Sequence, residues 1–239
     1  LNLCKREFVN SHIKIIKQSI DFIFVDFLNE FIKYFLPPIC EIEDTYMYFI
    51  NRFSHFLEEN QNKANENTIQ KIILIIQIVM AHSNNNSKLI FLFDIWKSNI
   101  FVNNTDKLVV VLFESLVFLP FDNQKKYLYY ILSKSNQYID QLFKASKMIV
   151  QSNNVKNSIK RKFLDHLSTV ISIKAEKASL FEIISTLSKS YLVNKSSYII
   201  RFSVYYFLES NIEERIQNKI RILEIIDGKT EFERFMNIN

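Results

Sequence analysis

One glycine and three prolines, Gly228, Pro37, Pro38 and Pro120, are all the backbone punctuation in 239 residues. Hairpin turns and phosphate-cradling loops draw on glycine for backbone angles that other residues resist, so sheets of hairpins and nucleotide-binding α/β folds do not fit. An all-α chain is expected. Cysteine is as scarce: Cys4 and Cys40 stand 36 positions apart with no partner motif. They read as reduced, buried thiols of an intracellular protein, cytoplasmic or nuclear. The four histidines, His12, His55, His82 and His166, have no second His or Cys at ligand spacing, so no metal or other cofactor is expected.

Long apolar runs are missing too. The run at 72–80 is too short to span a bilayer and the one at 108–121 carries Glu114, so no membrane span is expected. Asn85, Asn103 and Asn194 open glycosylation triplets, but an Asn-rich chain makes such triplets by chance and no signal peptide accompanies them. The first residue is Leu1, which leaves room for an upstream segment or targeting signal.

What is present is apolar and aromatic, with 48% hydrophobic residues, 22 Phe and 11 Tyr. A chain of this length buries about 70% of the surface its unfolded form exposes, so it needs no metal or disulfide to fold. One domain or one continuous stack over 1–239 is expected. A sub-boundary, if there is one, falls at the polar, Asn-rich stretch 60–67.

Apolar positions advance in helical steps through most of the chain. Val9, Ile13, Ile16, Ile20, Ile23, Phe27, Phe31 and Tyr34 form one stripe that Pro37 and Pro38 should end. Ile42, Tyr46, Phe49, Ile50, Phe53, Phe56 and Leu57 form a second, with Glu41, Glu43 and Asp44 against its positive end. Helices at 69–80 (opened by Thr68), 108–119 and 198–208 are apolar nearly all round and belong inside, with Trp96 a core anchor nearby. Amphipathic helices are expected at 127–132, 138–150, 155–171 and 180–192. The last stripe runs through Ile212, Ile216, Ile220, Leu223 and Ile226 to Gly228, a left-handed C-terminal residue. A segment with Phe232, Phe235 and Met236 then covers the end of the stack or continues onward.

From Ser87 to Phe143 the apolar runs are each preceded by a residue suited to capping, namely Ser87, Thr105 and Asp122. A stride of 18 and then 17 residues is one helix plus one turn, and two strides make a helix-pair repeat. In this respect the chain resembles HEAT and armadillo-type α-solenoids. Residues 104–143, with VVVLFESLVFLPFDNQKKYLYYIL followed by IDQLF, are loosely similar to repeats of the karyopherin-β transport receptors (importins and exportins). That resemblance implies binding of a cargo, a small GTPase or nucleoporin repeats, and it assigns no residue to such a role.

Charge is segregated. Residues 123–164 hold nine bases, Lys125, Lys126, Lys134, Lys144, Lys147, Lys156, Lys160, Arg161 and Lys162, against the one acid Asp140, while 41–66 and 209–233 are net acidic. Such a basic section attracts acidic protein segments or phosphate backbones, and Tyr127, Tyr129, Tyr130 and Tyr138 would stack on bases if exposed. The bland alternative has the lysines solvating outer faces and the tyrosines filling the core. No catalytic constellation is visible: Asp165 and His166 diverge on a helix, and the pairs Glu58–Glu59 and Glu213–Glu214 are not separated across a cleft. The expectation is a non-enzymatic interaction scaffold whose candidate partner-binding residues are Lys125, Lys126, Lys144, Lys147, Lys156, Lys160, Arg161 and Lys162, with an acidic protein as partner. The alternative is a nucleic-acid binder using the same region.

Overall fold

A computed structural model of the chain describes residues 29–61, 63–98, 100–101, 105–174, 177–192 and 194–208. It also describes the isolated positions Ile15, Gln18, Ile20, Ile23, Phe24, Glu214, Gln217, Ile220 and Ile222. Among the described residues there are helices and no strand, as the dearth of glycine predicts. Cys4, His12, Asn103, Gly228, Phe232, Phe235, Met236 and most of the first and last stripes lie outside them. Where the last stripe is described, Ile220 is exposed and Ile222 buried, so the inward side runs through Ile222 rather than Ile220. No described helix is long and apolar enough to cross a membrane.

The chain parts into two compact units, Leu1–Pro120 and Phe121–Asn239. The first holds α1 (Asn29–Cys40), α2 (Glu43–Glu59), α3 (Glu66–His82), α4 (Asn85–Lys97), α5 (Asp106–Glu114) and a 3-10 turn, Ser115–Phe118. The stretch 60–67 lies within this unit, at the connection of α2 to α3. α1 packs on α2 and α3, α3 on α5, and α2 on α4. Phe24, Phe49, Phe53 and Phe91 contact one another in series through this core, the first two contacts stacked and the last tilted, centroids 5.3 to 5.9 Å apart. Trp96 is buried against Phe101 and Phe113, the core anchor the sequence suggests.

Pro37 and Pro38 do not end α1, which runs on through both to Cys40. The carbonyls that lose a donor belong to Lys33 and Tyr34, both exposed, so no buried acceptor is orphaned. Ile39 and Cys40 are buried and hold the last turn down, and the Thr45 hydroxyl donates to the Ile39 and Ile42 carbonyls at 3.0 Å each, closing the α1–α2 corner.

The expected caps shift as well. Asn84, not Ser87, caps α4: its Oδ1 accepts from the Ser87 N–H at 3.1 Å and from the Ser87 hydroxyl at 2.9 Å. Asn65 does the same for α3 with Thr68, at 2.8 and 3.0 Å. Thr105 flanks α5 without accepting a capping bond. Asp122 sits inside the first turn of its helix, where it favours the dipole rather than caps. The run 108–119 is not one helix. The Ser115 hydroxyl and N–H both turn to the Val111 carbonyl, and the chain tightens there into the 3-10 turn.

The second unit holds α6 (Phe121–Lys134), a 3-10 turn (Ser135–Gln137), α7 (Ile139–Gln151), α8 (Asn157–Lys174), α9 (Lys177–Ser188) and α10 (Lys195–Leu208). α6 packs on α8, α8 on α7 and α10, and α9 on α7 and α10. Asn194, at φ 66°, takes the left-handed turn into α10, and Lys195 Nζ donates to the Ser188 and Ser190 carbonyls, closing the end of α9.

Candidate partner-binding face

α6 and α8 each bury one side and expose the other. On α6 Gln124, Tyr127, Leu128 and Ile131 are buried, while Phe121, Asp122, Lys125, Lys126, Tyr129 and Ser133 are exposed. On α8 the buried side is Ile159, Lys160, Phe163, Leu164 and Leu167, and the exposed side is Ser158, Arg161, Lys162, Asp165 and Thr169. The 30-residue link from Gln124 Nε2 to the Asn154 carbonyl (2.8 Å) fixes α6 against the loop that enters α8.

The two exposed stripes meet. Lys162 Nζ donates to the Tyr129 hydroxyl at 2.7 Å and lies 5.1 Å from that ring's centroid. Lys156, just before α8, offers its carbonyl to the N–H groups of Ile159 and Lys160 and sets its ammonium 3.2 Å from the Phe121 ring centroid. Tyr129 is 53% exposed and Phe121 38%. The Tyr129 phenol is held below its ordinary pKa by the hydrogen bond from Lys162, then by that ammonium's charge, with Lys125 one turn away adding to it. Among the described residues, no carboxylate lies within 4 Å of Lys125, Lys126, Lys156, Arg161 or Lys162. Of the nearby acids, Asp165 is engaged elsewhere, accepting from the Tyr198 hydroxyl at 2.9 Å beside Arg201 at 3.9 Å.

Not all the candidate cations reach this face. Lys160 is only 8% exposed and its ammonium pKa is lowered by burial, so it belongs to the packed side of α8. Three and four residues on from it come Phe163 and Leu164, which set that side inward. Lys156 therefore shares no outer stripe with Lys160, whereas Arg161 and Lys162 point to solvent. Lys144 and Lys147 are on the exposed stripe of α7, and Lys147 turns to Glu182 of α9 at 3.8 Å. Lys134 lies half-buried, 5.7 Å from the Tyr130 ring centroid. Of the four tyrosines, Tyr127 is core, Tyr130 and Tyr138 are half-buried and only Tyr129 is fully on the surface.

Asp165 and His166 do diverge. His166 Nε2 meets the Ser135 hydroxyl at 2.6 Å, and burial lowers the imidazole pKa. Ser135 is itself buried, and its one hydroxyl proton goes to the Leu132 carbonyl at 2.7 Å, so Nε2–H is the donor to it. A serine whose proton is spent on backbone is a corner brace, not a nucleophile.

No protein-family model, curated protein or solved structure matches the chain.

Proposed function

We propose that the chain is an interaction scaffold whose second unit docks an acidic segment of a partner protein on the outer face of α6 and α8. The observation that carries this reading is the set of exposed cations along α6 and the start of α8 that have no carboxylate partner among the described residues, Lys125, Lys126, Lys156, Arg161 and Lys162, together with the contact of Lys162 with Tyr129. Unpaired like charges on one face repel one another, and an acidic ligand relieves that repulsion while steering its own approach. The pairing of helices two apart in sequence, α1 with α3, α3 with α5 and α2 with α4, then α6 with α8, α8 with α10 and α7 with α9, supports a HEAT-like arrangement within each unit.

Nucleic acid is the second reading, favoured by the exposed Phe121 and Tyr129 rings. The Lys156 ammonium covers a face of the Phe121 ring on which a base would stack, which argues for the protein partner.

The test is capture of a fluorescein-labelled Asp/Glu peptide by the full chain. Reversing Lys125, Arg161 and Lys162 to Glu should abolish capture with far-UV circular dichroism unchanged. Undiminished capture by that variant refutes the face. Binding to single-stranded RNA that falls steeply with salt, with no peptide capture, transfers the face to nucleic acid.

A further inference from the structure

The meeting point of the two stripes is more specific than a basic surface. Lys162 spends one of its three N–H donors on the Tyr129 oxygen. The phenol, accepting there, keeps its own O–H to give outward. A phenol polarised by a neighbouring ammonium is a stronger donor than an isolated one. Lys125 stands one helical turn before Tyr129 on the same exposed stripe, the spacing at which two side chains of a helix are neighbours. Three donor groups and two positive charges thus belong to one exposed patch, the hydrogen-bonded pair Tyr129–Lys162 and Lys125 on the stripe of Tyr129, with Lys126 and Arg161 also exposed and Asp122 one turn before Lys125. A carboxylate offers one charge and two coplanar oxygens. A phosphate monoester offers a charge of roughly −1.5 to −2 at neutral pH and three acceptor oxygens in a tripod, which matches the count and the charge of the donors.

We propose that Lys125, Tyr129 and Lys162 form the seat of a phosphate monoester, carried as a phosphorylated side chain within an acidic segment of a partner protein. This rests on the docking face above and deepens it: the face is general for acidic segments, and the seat selects the phosphorylated one. Phosphodiesters of nucleic acid carry one charge per phosphate and leave the seat's second charge unmatched.

The experiment uses the full chain and three fluorescein-labelled Asp/Glu-rich peptides that differ only in a central residue, Ser, Glu or phosphoserine, with a single-stranded RNA alongside. The phosphoserine peptide should bind about tenfold more tightly than the Glu peptide, and Tyr129→Phe and Lys162→Met should each remove most of that gain. Both positions are exposed, so circular dichroism and urea midpoints should stay as in the wild type. Equal binding of the phosphoserine and Glu peptides overturns the seat and leaves the docking face standing. A gain that survives both substitutions places the phosphate elsewhere and overturns the assignment. No peptide binding overturns seat and face together, and RNA bound more tightly than any peptide replaces both with nucleic-acid recognition.

Discussion

Lys160→Met puts the inward placement of one cation to a quantitative test. The side chain is 8% exposed, beside Ile159, Phe163 and Leu164 on the packed side of α8. Methionine keeps the length and apolar stem of lysine and removes the ammonium, so packing is nearly conserved while the cost of holding a charge away from water disappears. Replacing a poorly solvated charge by an apolar group of similar volume stabilises by roughly 1 kcal/mol at the low end of such substitutions. With a urea slope of about 2 kcal/mol per molar, the midpoint should rise by about 0.5 M at neutral pH.

The pH dependence has a definite sign. Burial lowers the Lys160 pKa from its ordinary 10.5, so the folded state disfavours the proton that the unfolded chain keeps freely. The penalty is therefore fully present below the folded value and fades as pH rises to 10.5, where the unfolded chain also gives up its proton. The advantage of the methionine variant should shrink over that climb. Equilibrium urea titrations at pH 7 and at pH 10 measure both effects, and acidic-peptide capture should be unaltered by Lys160→Met. A midpoint that falls, a gap that widens with pH, or lost capture would refute the inward placement.

Other outcomes follow from single contacts. In a Cys4→Ser background, Cys40 should resist thiol reagents at pH 8 until the chain is unfolded, because burial, with Glu41 adding, pushes its thiol up to about 12. By the same shift, from an ordinary 9.0, it contributes stability below pH 9 that is lost progressively toward pH 12, which alkaline urea titrations would register; prompt labelling of the native chain would contradict the burial. Asn84→Ala should cost about 1 kcal/mol and Ser87→Ala only a few tenths, and the reverse order in urea midpoints would restore Ser87 as the cap. Gln124→Ala should cost about 1 kcal/mol by removing the hydrogen bond to the Asn154 carbonyl, with faster amide exchange confined first to 152–156; uniform exchange rates would deny the link.

The helical class was legible because it rests on a shortage. With one glycine there is little to build hairpins from, and stripes such as Tyr46, Phe49, Phe53 and Leu57 fold inward as their spacing demands. Boundaries were less legible for a specific reason. At Thr68 and Ser87 the expected helix start was the hydroxyl nearest the apolar run, whereas the Asn three residues earlier takes that role, Asn65 for the one and Asn84 for the other. An amide oxygen accepts from the backbone and from the hydroxyl at once, so the Ser or Thr becomes the third helical residue and serves the cap instead of forming it. The Asn clusters that read as loops are thus the start signals. At Pro37 and Pro38 the rule that proline ends a helix fails because its cost depends on where the freed carbonyls face, and exposure is a property of the packed unit.

The candidate face divides along the same line. That 123–164 is basic is a property of composition, but a lysine's side of a helix depends on phase, and the phase of α8 was partly readable: Lys160 precedes Phe163, Leu164 and Leu167 at three, four and seven residues, the spacing of the apolar side itself. That spacing turns Lys160 inward and leaves Arg161 and Lys162 outside. No spacing, however, foretells the contact between Tyr129 and Lys162, which lie 33 residues apart on helices that meet only because Tyr127, Leu128, Phe163 and Leu167 are buried behind them. A long-range polar contact of this kind is set by how two apolar sides dock. Tyr129 and Lys162 are therefore placed by the buried residues behind them, and on the proposed docking reading core substitutions such as Tyr127→Ala should impair capture through geometry as well as through stability.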